Sequence, residues 1–426
     1  MLSLKARQMN LKQELVNMAE GAKEASRLLL NVSSATKTKI LKDMALSLNK
    51  RKSFILKANK KDIARARASG AQSAFIDRLT LDPKRIAQMS ASLREIAGLK
   101  DCLGEVMKAW SMPNGLWIHR VRVPIGVIAI VYESRPNVTS DCIGLCFKSG
   151  NSVILRGGSE AIDSNISIYE VLSAVLRKYG IPDGVINMVR AVDRRAVDIL
   201  LKLDKYIDLV IPRGGESLIN KVVSLSRIPV IKHYKGICHV YIDEWADLNM
   251  AEKICFNAKV QRPGVCNAME SMLVHKDVAV RFLPSMLKMF KQAGVQIRGC
   301  ATTEKIVKGI KRATENDYHT EYLDLILSVK VVEDLDEATA HINHYGTHHS
   351  DTIVTESYAN ALQFLKDVDS ACVYVNASTR FTDGYEFGMG AEIGISTGKL
   401  HARGPMALEE LTTYKYMVFG NGQIRQ

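Results

Sequence analysis

The amino-acid sequence predicts an α/β fold in which two doubly wound domains carry a small additional β arm. From residue 125 onward, short and wholly apolar strands alternate with helical segments, which is typical of a parallel sheet covered on both faces. A second series of alternations begins near residue 238 and predicts a second α/β domain. An Asn-Gly pair at Asn114 and Gly115, between two extended runs, predicts a β hairpin.

The individual elements follow from periodicity. Residues 10–100 are expected to be helical, because apolar residues recur at helical spacing and glycine and proline are scarce there. Later helices are predicted at 161–179, 249–259 and 278–292. Strands are predicted at 106–110, 116–123, 127–132, 152–155, 184–189, 208–211, 238–243, 269–275, 326–332, 351–355, 372–376 and 412–419.

Composition and charge exclude several classes of protein. Of the 426 residues, 47% are hydrophobic and 24% are charged, as in globular proteins. The formal net charge is +13, but lysine and arginine are spread along the whole chain, which disfavours a nucleic-acid interface. No apolar run approaches the roughly 18 residues of a transmembrane helix, and the first twenty residues lack a signal-peptide core. A cytoplasmic protein without nucleic-acid or membrane contact is therefore expected.

Two turns have the form of anion-binding sites. The segments 156–160 (Arg-Gly-Gly-Ser-Glu) and 213–217 (Arg-Gly-Gly-Glu-Ser) each follow a predicted strand and precede a helix. Backbone amides at such a position attract phosphate, and glycine lets a ligand approach closely. Ordinary strand-to-helix turns are the alternative, and no Gly-x-Gly-x-x-Gly fingerprint is present.

Cys266 is the cysteine with the strongest indications of reactivity. It lies in the irregular segment Gln-Arg-Pro-Gly-Val-Cys-Asn at 261–267, between a predicted helix and a predicted strand. The neighbouring Arg262 supplies positive charge, which favours a thiolate. On these residues alone, an inert buried cysteine is the alternative. None of the eight cysteines forms a Cys-x-x-Cys pair, so a zinc ribbon is not indicated.

The histidines His341, His344, His348 and His349 raise the question of a metal site. They show no His-Glu-x-x-His pattern and no carboxylate at ligand spacing. A polar helix end followed by a turn at Gly346 explains their spacing. No metal site is therefore predicted.

Long stretches of the chain match a known family. They cover residues 123–140, 152–166, 208–220, 236–244, 261–275 and 375–417 and include the segments VYESRPNVT and QRPGVCNAMESMLVH. On these stretches the sequence resembles the glutamate-5-semialdehyde dehydrogenases, or γ-glutamyl phosphate reductases, of the aldehyde dehydrogenase superfamily. The resemblance implies an aldehyde dehydrogenase-like fold. It also implies NADPH-dependent reduction of L-glutamyl 5-phosphate to L-glutamate 5-semialdehyde and phosphate, through a cysteine thioester, in proline biosynthesis.

The resemblance implies roles for individual residues. Cys266 would be the nucleophile, and Asn137 would hold the oxyanion. Contacts to NADP(H) would come from the two turns and one later glutamate, namely Arg156, Gly157, Gly158, Ser159, Glu160, Arg213, Gly214, Gly215, Glu216 and Glu321. The substrate end would be lined by Asn376, Ser378, Thr379 and Arg380. Arg135 and Arg262 are candidates for the leaving phosphate, with structural ion pairs as the alternative.

One departure from the superfamily concerns residues 233–236. Hydrolytic aldehyde dehydrogenases carry Glu-Leu-Gly-Gly before the domain boundary, whereas this chain reads His-Tyr-Lys-Gly. A thioester on Cys266 would then lack a general base for hydrolysis, which favours transfer of the acyl group from or to phosphate. A hydrolytic aldehyde dehydrogenase, an idle nucleotide-binding scaffold and a nucleic-acid binder stay as alternatives.

Pattern and resemblance together predict the domain boundaries. The nucleotide-binding domain would comprise 1–106 and 124–235, the oligomerisation arm 107–123 and 406–426, and the catalytic domain 236–405. Exposed strand edges in the arm predict a homo-oligomer, either a dimer or a tetramer. The choice between NADP and NAD stays open, as does a transient contact with glutamate 5-kinase, which would hand over the substrate.

Overall fold

The computed structural model describes residues 2–232 and 235–425. The chain divides into two compact units, the first comprising Met1–Lys232, Gly388–Gly394 and Met406–Gln426 and the second His233–Phe387 and Ile395–Pro405. The predicted boundary at 235 lies beside this division, and the arm segments belong to the first unit. Residues 388–394, predicted within the catalytic domain, also belong to the first unit. The nucleotide-binding and catalytic roles of the units stay predictions.

Helices and strands alternate over most of the described chain. The helices are α1 Leu2–Leu29, α2 Ser34–Lys50, α3 Lys52–Ala68, α4 Ser73–Leu79, α5 Pro83–Gly98, α6 Asn137–Lys148, α7 Ile162–Lys178, α8 Arg195–Leu200, α9 Glu216–Leu225, α10 Leu248–Val260, α11 Lys276–Gln292, α12 Ala301–Ile306, α13 Glu315–Tyr318, α14 Leu335–Tyr345 and α15 Tyr358–Asp367. The strands are β1 Val106–Ser111, β2 Trp117–Pro124, β3 Val127–Tyr132, β4 Ser152–Gly157, β5 Ile186–Met188, β6 Leu209–Arg213, β7 Cys238–Ile242, β8 Met269–His275, β9 Gln296–Gly299, β10 Lys311–Arg312, β11 Ile326–Val332, β12 Ser350–Val354, β13 Cys372–Val375, β14 Ile395–Ser396, β15 Gly404–Pro405 and β16 Thr412–Phe419. Within the described ranges, no helix has both the length and the apolar character needed to cross a membrane.

Two of the opening helices, α2 and α5, begin at residues whose side chains cap them. The Ser33 hydroxyl accepts a hydrogen bond from the Thr36 N–H at the start of α2. The Asp82 carboxylate accepts one from the Arg85 N–H at the start of α5, whose first residue is Pro83. Both arrangements satisfy backbone groups that a helix start leaves without partners. The predicted helical opening is confirmed.

The sheet of the first unit is parallel and has the strand order β5-β4-β3-β6. Every residue of β3 and β4 is buried, as their apolar runs predict. Tyr132 at the end of β3 is in register with Gly157 on one side and Arg213 on the other. The two anion-binding turns and the loop after β3 therefore follow strands that end along one edge, where parallel sheets bind ligands.

The sheet of the second unit has the order β10-β9-β11-β8-β7-β12-β13, and all of these pairings are parallel. Phe282 and Phe290 of α11 and Met272 of β8 belong to its core. The strand β9, which lies between β10 and β11, was not predicted, because its four residues include the exposed Gln296 and the half-buried Arg298 and give no apolar run. The prediction of two α/β domains is confirmed.

A three-stranded antiparallel sheet forms the arm, in the order β1-β2-β16. The turn between β1 and β2 contains Gly115 with a φ of 86°, which glycine adopts readily. Trp117, Tyr416 and Phe419 are 59%, 53% and 54% exposed. The arm thus combines exposed aromatic side chains with two edge strands, and both predicted pieces of this sheet are confirmed.

Candidate active site

The candidate nucleophile lies on a loop between α10 and β8, which we call the thiol loop (residues 261–268). The Cys266 side chain is half-buried. Its carbonyl oxygen accepts a hydrogen bond from the Cys238 Sγ at 3.2 Å. A β-carbon on Gly236 would lie only 1.7 Å from the same oxygen. The segment 236–238 therefore packs directly on the backbone of Cys266, and only glycine fits at residue 236.

A short turn at 379–382 fixes the other side of the thiol loop. The Asn267 side-chain amide donates hydrogen bonds to the carbonyl oxygens of Arg380 at 3.3 Å and Thr382 at 2.9 Å. The Thr379 hydroxyl donates to the carbonyl of Asn267 at 2.8 Å. The Ser378 hydroxyl accepts from the Arg380 N–H. The predicted substrate residue Thr379 thus contacts the thiol loop directly, whereas Ser378 caps the turn that carries Thr379, and both are buried.

Two arginines bring positive charge to the thiol. Arg380 donates from Nε to the side-chain oxygen of Gln261 at 2.9 Å. The pKa of Arg380 is lowered, mainly by burial and further by the nearby Arg262, while Cys266 and Asp383 oppose this change. Arg380 therefore lies within electrostatic range of both the Arg262 guanidinium and the Cys266 thiol. Such an arrangement favours a thiolate and an anionic substrate.

Asn376 and Glu321 have structural partners in the second unit. The Asn376 amide accepts from the Thr355 N–H and donates to the Thr355 carbonyl, both at 2.9 Å. These two hydrogen bonds link the ends of β12 and β13. The Asn376 side chain, predicted to contact the substrate, therefore already makes two hydrogen bonds within the protein. The Glu321 carboxylate accepts from the Gly236 N–H at 2.8 Å. Glu321 is therefore joined to the thiol loop through Gly236.

In the first unit, the Asn137 side chain is held by the half-buried Asp141. Asn137 is the first residue of α6, and its side chain is exposed. Burial raises the pKa of Asp141 to about 6, while hydrogen bonds from Ser92 and Asn137 and the charge of Arg213 act in the opposite direction. Asp141 therefore accepts a hydrogen bond from the Asn137 side chain and orients its amide.

Carboxylates occupy both predicted anion-binding turns. The Gly215 N–H donates to the Glu133 carboxylate at 2.8 Å, and a β-carbon on Gly214 would lie 2.6 Å from the same oxygen. In the other turn, a β-carbon on Gly158 would collide with the Glu160 carboxylate. Both glutamates are exposed and can turn away. Each turn thus already holds an anionic group where a phosphate was predicted.

The first two residues of the predicted turn at 156–160 belong to β4 and are more closely packed than predicted. Arg156 is 9% exposed, its guanidinium donates to the Val192 carbonyl at 3.4 Å, and burial lowers its pKa. A β-carbon on Gly157 would collide with Asn165 and approach Tyr132. Gly157 is therefore required for packing β4 against α7, whatever its relation to a ligand.

The remaining predicted residues lie at the open edge of the first unit. Ser159 and Glu160 line a pocket of about 560 Å³ together with residues of α3 and α4. Glu216 is the first residue of α9, and Arg135 is exposed between β3 and α6. The Arg213 guanidinium passes close over the backbone of Gly394. The edge thus brings together the predicted cofactor residues of this unit.

Several residues near Cys266 were not identified from the sequence. Gly236 and Cys238 lie about thirty positions before Cys266 in the chain, and nothing in the sequence links them to it. Lys259 and Glu270 form a buried ion pair at the ends of the thiol loop. Glu270 did carry a signal, because a glutamate in an otherwise apolar strand is almost always paired.

The four histidines differ in their surroundings. They flank the end of α14, and Gly346 caps that helix as expected. However, His341 lies on the buried face of α14, so the expectation of a polar helix end is wrong for this residue, and His349, which follows the turn, is also buried. His344 lies on the surface, with a ring nitrogen within 4.8 Å of donor atoms of Glu315 and His319. The absence of a metal site therefore stays a prediction.

Replacing His341 with phenylalanine is expected to reduce the acid sensitivity of stability. Burial, assisted by His239, lowers the pKa of His341 from 6.5 to about 2. Below pH 6.5 the unfolded chain therefore binds a proton that the folded chain does not, and stability falls by about 1.4 kcal/mol per pH unit. The difference in unfolding free energy between variant and wild type, measured by urea unfolding, should therefore be about 2 kcal/mol more favourable to the variant at pH 5 than at pH 8.

The matched control for this experiment is Ile342→Val. This neighbour is buried and has no ionisable group, so its substitution should cost about 1 kcal/mol equally at both pH values. A His341→Phe variant whose effect is also equal at pH 5 and pH 8 would contradict the assignment of a neutral, buried imidazole.

Comparisons with known proteins agree with this architecture. Residues 6–304 match the model of the aldehyde dehydrogenase family. A gamma-glutamyl phosphate reductase from Thermodesulfovibrio yellowstonii is 56% identical over 418 residues, which cover 98% of this chain and 100% of that protein. The crystal structure of gamma-glutamyl phosphate reductase from Thermotoga maritima has a TM-score of 0.95 at 47% identity and covers 97% of this chain and 100% of that one.

A more distant structure shares only the fold. It is an engineered glycolyl-CoA reductase with bound NADP⁺, with a TM-score of 0.65 at 14% identity. The match covers 95% of this chain and 96% of that one. At this identity the likeness concerns the arrangement of helices and strands alone.

Proposed function

The chain belongs to the aldehyde dehydrogenase family and, within it, to the gamma-glutamyl phosphate reductases, and we propose that it reduces L-glutamyl 5-phosphate to L-glutamate 5-semialdehyde and phosphate in proline biosynthesis. The main support in the structure is the thiol loop, where the half-buried Cys266 lies within electrostatic range of Arg380, which in turn lies within range of Arg262 on the same loop as Cys266. A thiol beside two cations suits an acyl phosphate, whose leaving group is an anion.

The chemistry proposed for Cys266 is covalent. Its thiolate attacks the acyl carbon, and the Asn137 amide and a backbone N–H near Cys266 stabilise the oxyanion, each such donor being worth about 10²–10³ in rate. The bond between the acyl carbon and the phosphate oxygen then breaks. Arg262 and Arg380 stabilise the departing phosphate, and a thioester remains on Cys266. After reduction, the hemithioacetal releases the semialdehyde and returns the thiolate to Cys266.

NADP(H) is the proposed cofactor. Enzymes of this family use nicotinamide cofactors, and a structural neighbour holds NADP⁺. The turn after β6 fits a pyrophosphate, because a β-carbon on Gly214 would fill it and the Gly215 N–H already holds a carboxylate. Arg156 would hold the adenosine ribose or a 2′-phosphate, and Glu321 the nicotinamide ribose. When bound, NADPH supplies the hydride that reduces the thioester.

Phosphate, rather than water, is the proposed acceptor in the reverse direction. The segment 233–236 replaces the water-activating glutamate of hydrolytic relatives, although His233 and Tyr234 lie outside the described residues. Arg262 and Arg380 carry the positive charge that would bind inorganic phosphate beside Cys266. Arg135, on the first unit, stays a second candidate for this role.

The reverse reaction tests this proposal. With L-glutamate 5-semialdehyde and NADP⁺, we expect steady formation of NADPH only when inorganic phosphate is added, followed by the absorbance of the reduced cofactor. Sulfate at the same ionic strength is the control. Equal steady turnover with and without phosphate would instead identify a hydrolytic aldehyde dehydrogenase.

A homo-oligomer assembled through the arm is also proposed. Val418 in the edge strand β16 is 56% exposed. We expect Val418→Asp to shift the protein to a smaller species in sedimentation velocity, because a buried charge opposes edge-to-edge pairing. The control is Val280→Asp at a valine of α11 that is 67% exposed and should leave the sedimentation unchanged. A wild-type monomer at micromolar concentration would contradict the proposal.

The cytoplasm is the proposed compartment, because a thiol nucleophile has to stay reduced and cytosolic thiols are kept reduced. A transient contact with glutamate 5-kinase stays a prediction, supported only by the lability of an acyl phosphate in water.

A further inference from the structure

A buried ion pair joins the two ends of the thiol loop. Lys259 lies in the last turn of α10, and Glu270 is the second residue of β8, so the loop that carries Cys266 runs from one to the other. The Lys259 Nζ lies 2.7 Å from a carboxylate oxygen of Glu270, and the two side chains are 0% and 1% exposed. The pair therefore closes the base of the loop.

Stability alone does not explain two charges at this position. Burial raises the pKa of Glu270 to about 7 against the opposing charge of Lys259, and it lowers the pKa of Lys259. Apolar side chains of similar size often stabilise a buried position as well as an ion pair does. What an ion pair adds is a defined direction and distance between the two segments that carry it.

The second oxygen of Glu270 connects the thiol loop to another segment. It accepts a hydrogen bond from the Leu323 N–H at 3.0 Å. Two residues before Leu323, the Glu321 carboxylate accepts the Gly236 N–H at 2.8 Å. Gly236 in turn packs on the carbonyl of Cys266. The contacts thus form a closed series that begins at Glu270, just after the thiol loop, and returns to the loop at Cys266.

We propose that Lys259 and Glu270 are positioning residues that hold Cys266 and Glu321 in one fixed geometry for the reaction. Both side chains are buried, so they act through the backbone of the thiol loop and through the 321–323 segment. The Glu270 carboxylate binds the Lys259 ammonium group through one oxygen and the Leu323 N–H through the other, and it thereby fixes the thiol loop relative to the 321–323 segment. The inference rests on the proposed function where it is tested by kcat, but its test by the alkylation rate of Cys266 does not depend on that function.

Two substitutions test the pair. Glu270→Gln keeps the size of the side chain and removes its charge, and Lys259→Met removes the ammonium group. Each is expected to lower kcat per Cys266 site by about 10²-fold, because small misplacements of a reacting group cost that much. The KM should change by less than about threefold, since substrate contacts remain. Alkylation of Cys266 by iodoacetamide, located by peptide mass spectrometry, should slow in parallel with kcat.

A merely structural pair would behave differently. Its loss would lower the Tm and the fraction of folded protein but leave kcat and the alkylation rate per folded site unchanged. Lys37→Met is the matched control, because it breaks the Lys37–Asp101 pair in the first unit, where the Lys37 side chain is 3% exposed. It should lower the Tm and change neither rate.

The outcomes separate this inference from the proposed function. If a single variant does not fold, the double variant Lys259→Met with Glu270→Met, which leaves no buried charge, is measured in the same way. Wild-type kcat and alkylation rates in the folded variants would overturn the inference. An unmodified protein that is alkylated at Cys266 but does not reduce L-glutamyl 5-phosphate would overturn the proposed function instead.

Discussion

Replacing Cys266 with serine is expected to lower kcat for the reduction of L-glutamyl 5-phosphate by at least about 10⁴-fold. A serine hydroxyl stays protonated at neutral pH and needs a base to attack, whereas the positive charge of Arg380 near Cys266 favours the thiolate form of a cysteine. Affinity for NADPH should stay within about twofold, because the nucleophile supplies no contact to the proposed dinucleotide turns. Turnover is followed by cofactor absorbance and binding by cofactor fluorescence.

Cys300→Ser is the matched control. Cys300 is another half-buried thiol of the second unit. Burial acts to raise its pKa, but hydrogen bonds involving Thr303 and the Val331 N–H lower it overall, which makes Cys300 a competing candidate for reactivity. This variant should keep wild-type kcat. Loss of turnover in Cys300→Ser, together with its retention in Cys266→Ser, would contradict the assignment of the nucleophile.

Replacing Gly236 with alanine is expected to have the second largest effect. The added methyl would lie 1.7 Å from the carbonyl oxygen of Cys266, and this neighbour is backbone that cannot rotate away. Either the thiol loop or the 236–238 segment must move, which also disturbs the hydrogen bond from Gly236 to Glu321. We expect kcat to fall by about 10²-fold and stability to fall by about 1–3 kcal/mol.

Gly398→Ala is the control for steric crowding. Gly398 lies in the same unit, and a β-carbon there would be 3.6 Å from the Ser396 hydroxyl, an ordinary contact. This variant should keep its activity and its unfolding midpoint in urea. A Gly236→Ala variant with wild-type kcat would contradict the close packing of this segment against Cys266.

The fold was predictable where strands are long and wholly apolar. The strands β3, β4 and β8 are buried along their whole length, and β3 and the centre of β4 give clear apolar runs, whereas β8 also contains polar residues such as Glu270. The strands β9, β14 and β15 are too short for such a signal. The return of 388–394 to the first unit was not predictable, because it depends on contacts such as that between Gly390 and Leu99, distant in sequence.

The candidate site was predictable to a smaller extent. The irregular loop around Cys266 is visible in the sequence, but its residues alone left an inert cysteine as an alternative. Gly157 illustrates a second limit, because its need for glycine comes from Asn165 and Tyr132 rather than from a ligand. The sequence pattern identifies where the chain turns. The residues that make glycine necessary at such a turn are distant in sequence and are identified only in the structure.

The most direct test of the central claim is to look for the acyl group on Cys266. The protein is mixed with L-glutamate 5-semialdehyde and NADP⁺ without phosphate, quenched in acid and analysed by peptide mass spectrometry. We predict one NADPH formed per chain in a burst and a glutamyl thioester on Cys266, which added phosphate then releases. A burst without a modified Cys266, or a glutamyl group found on another residue, would contradict the account.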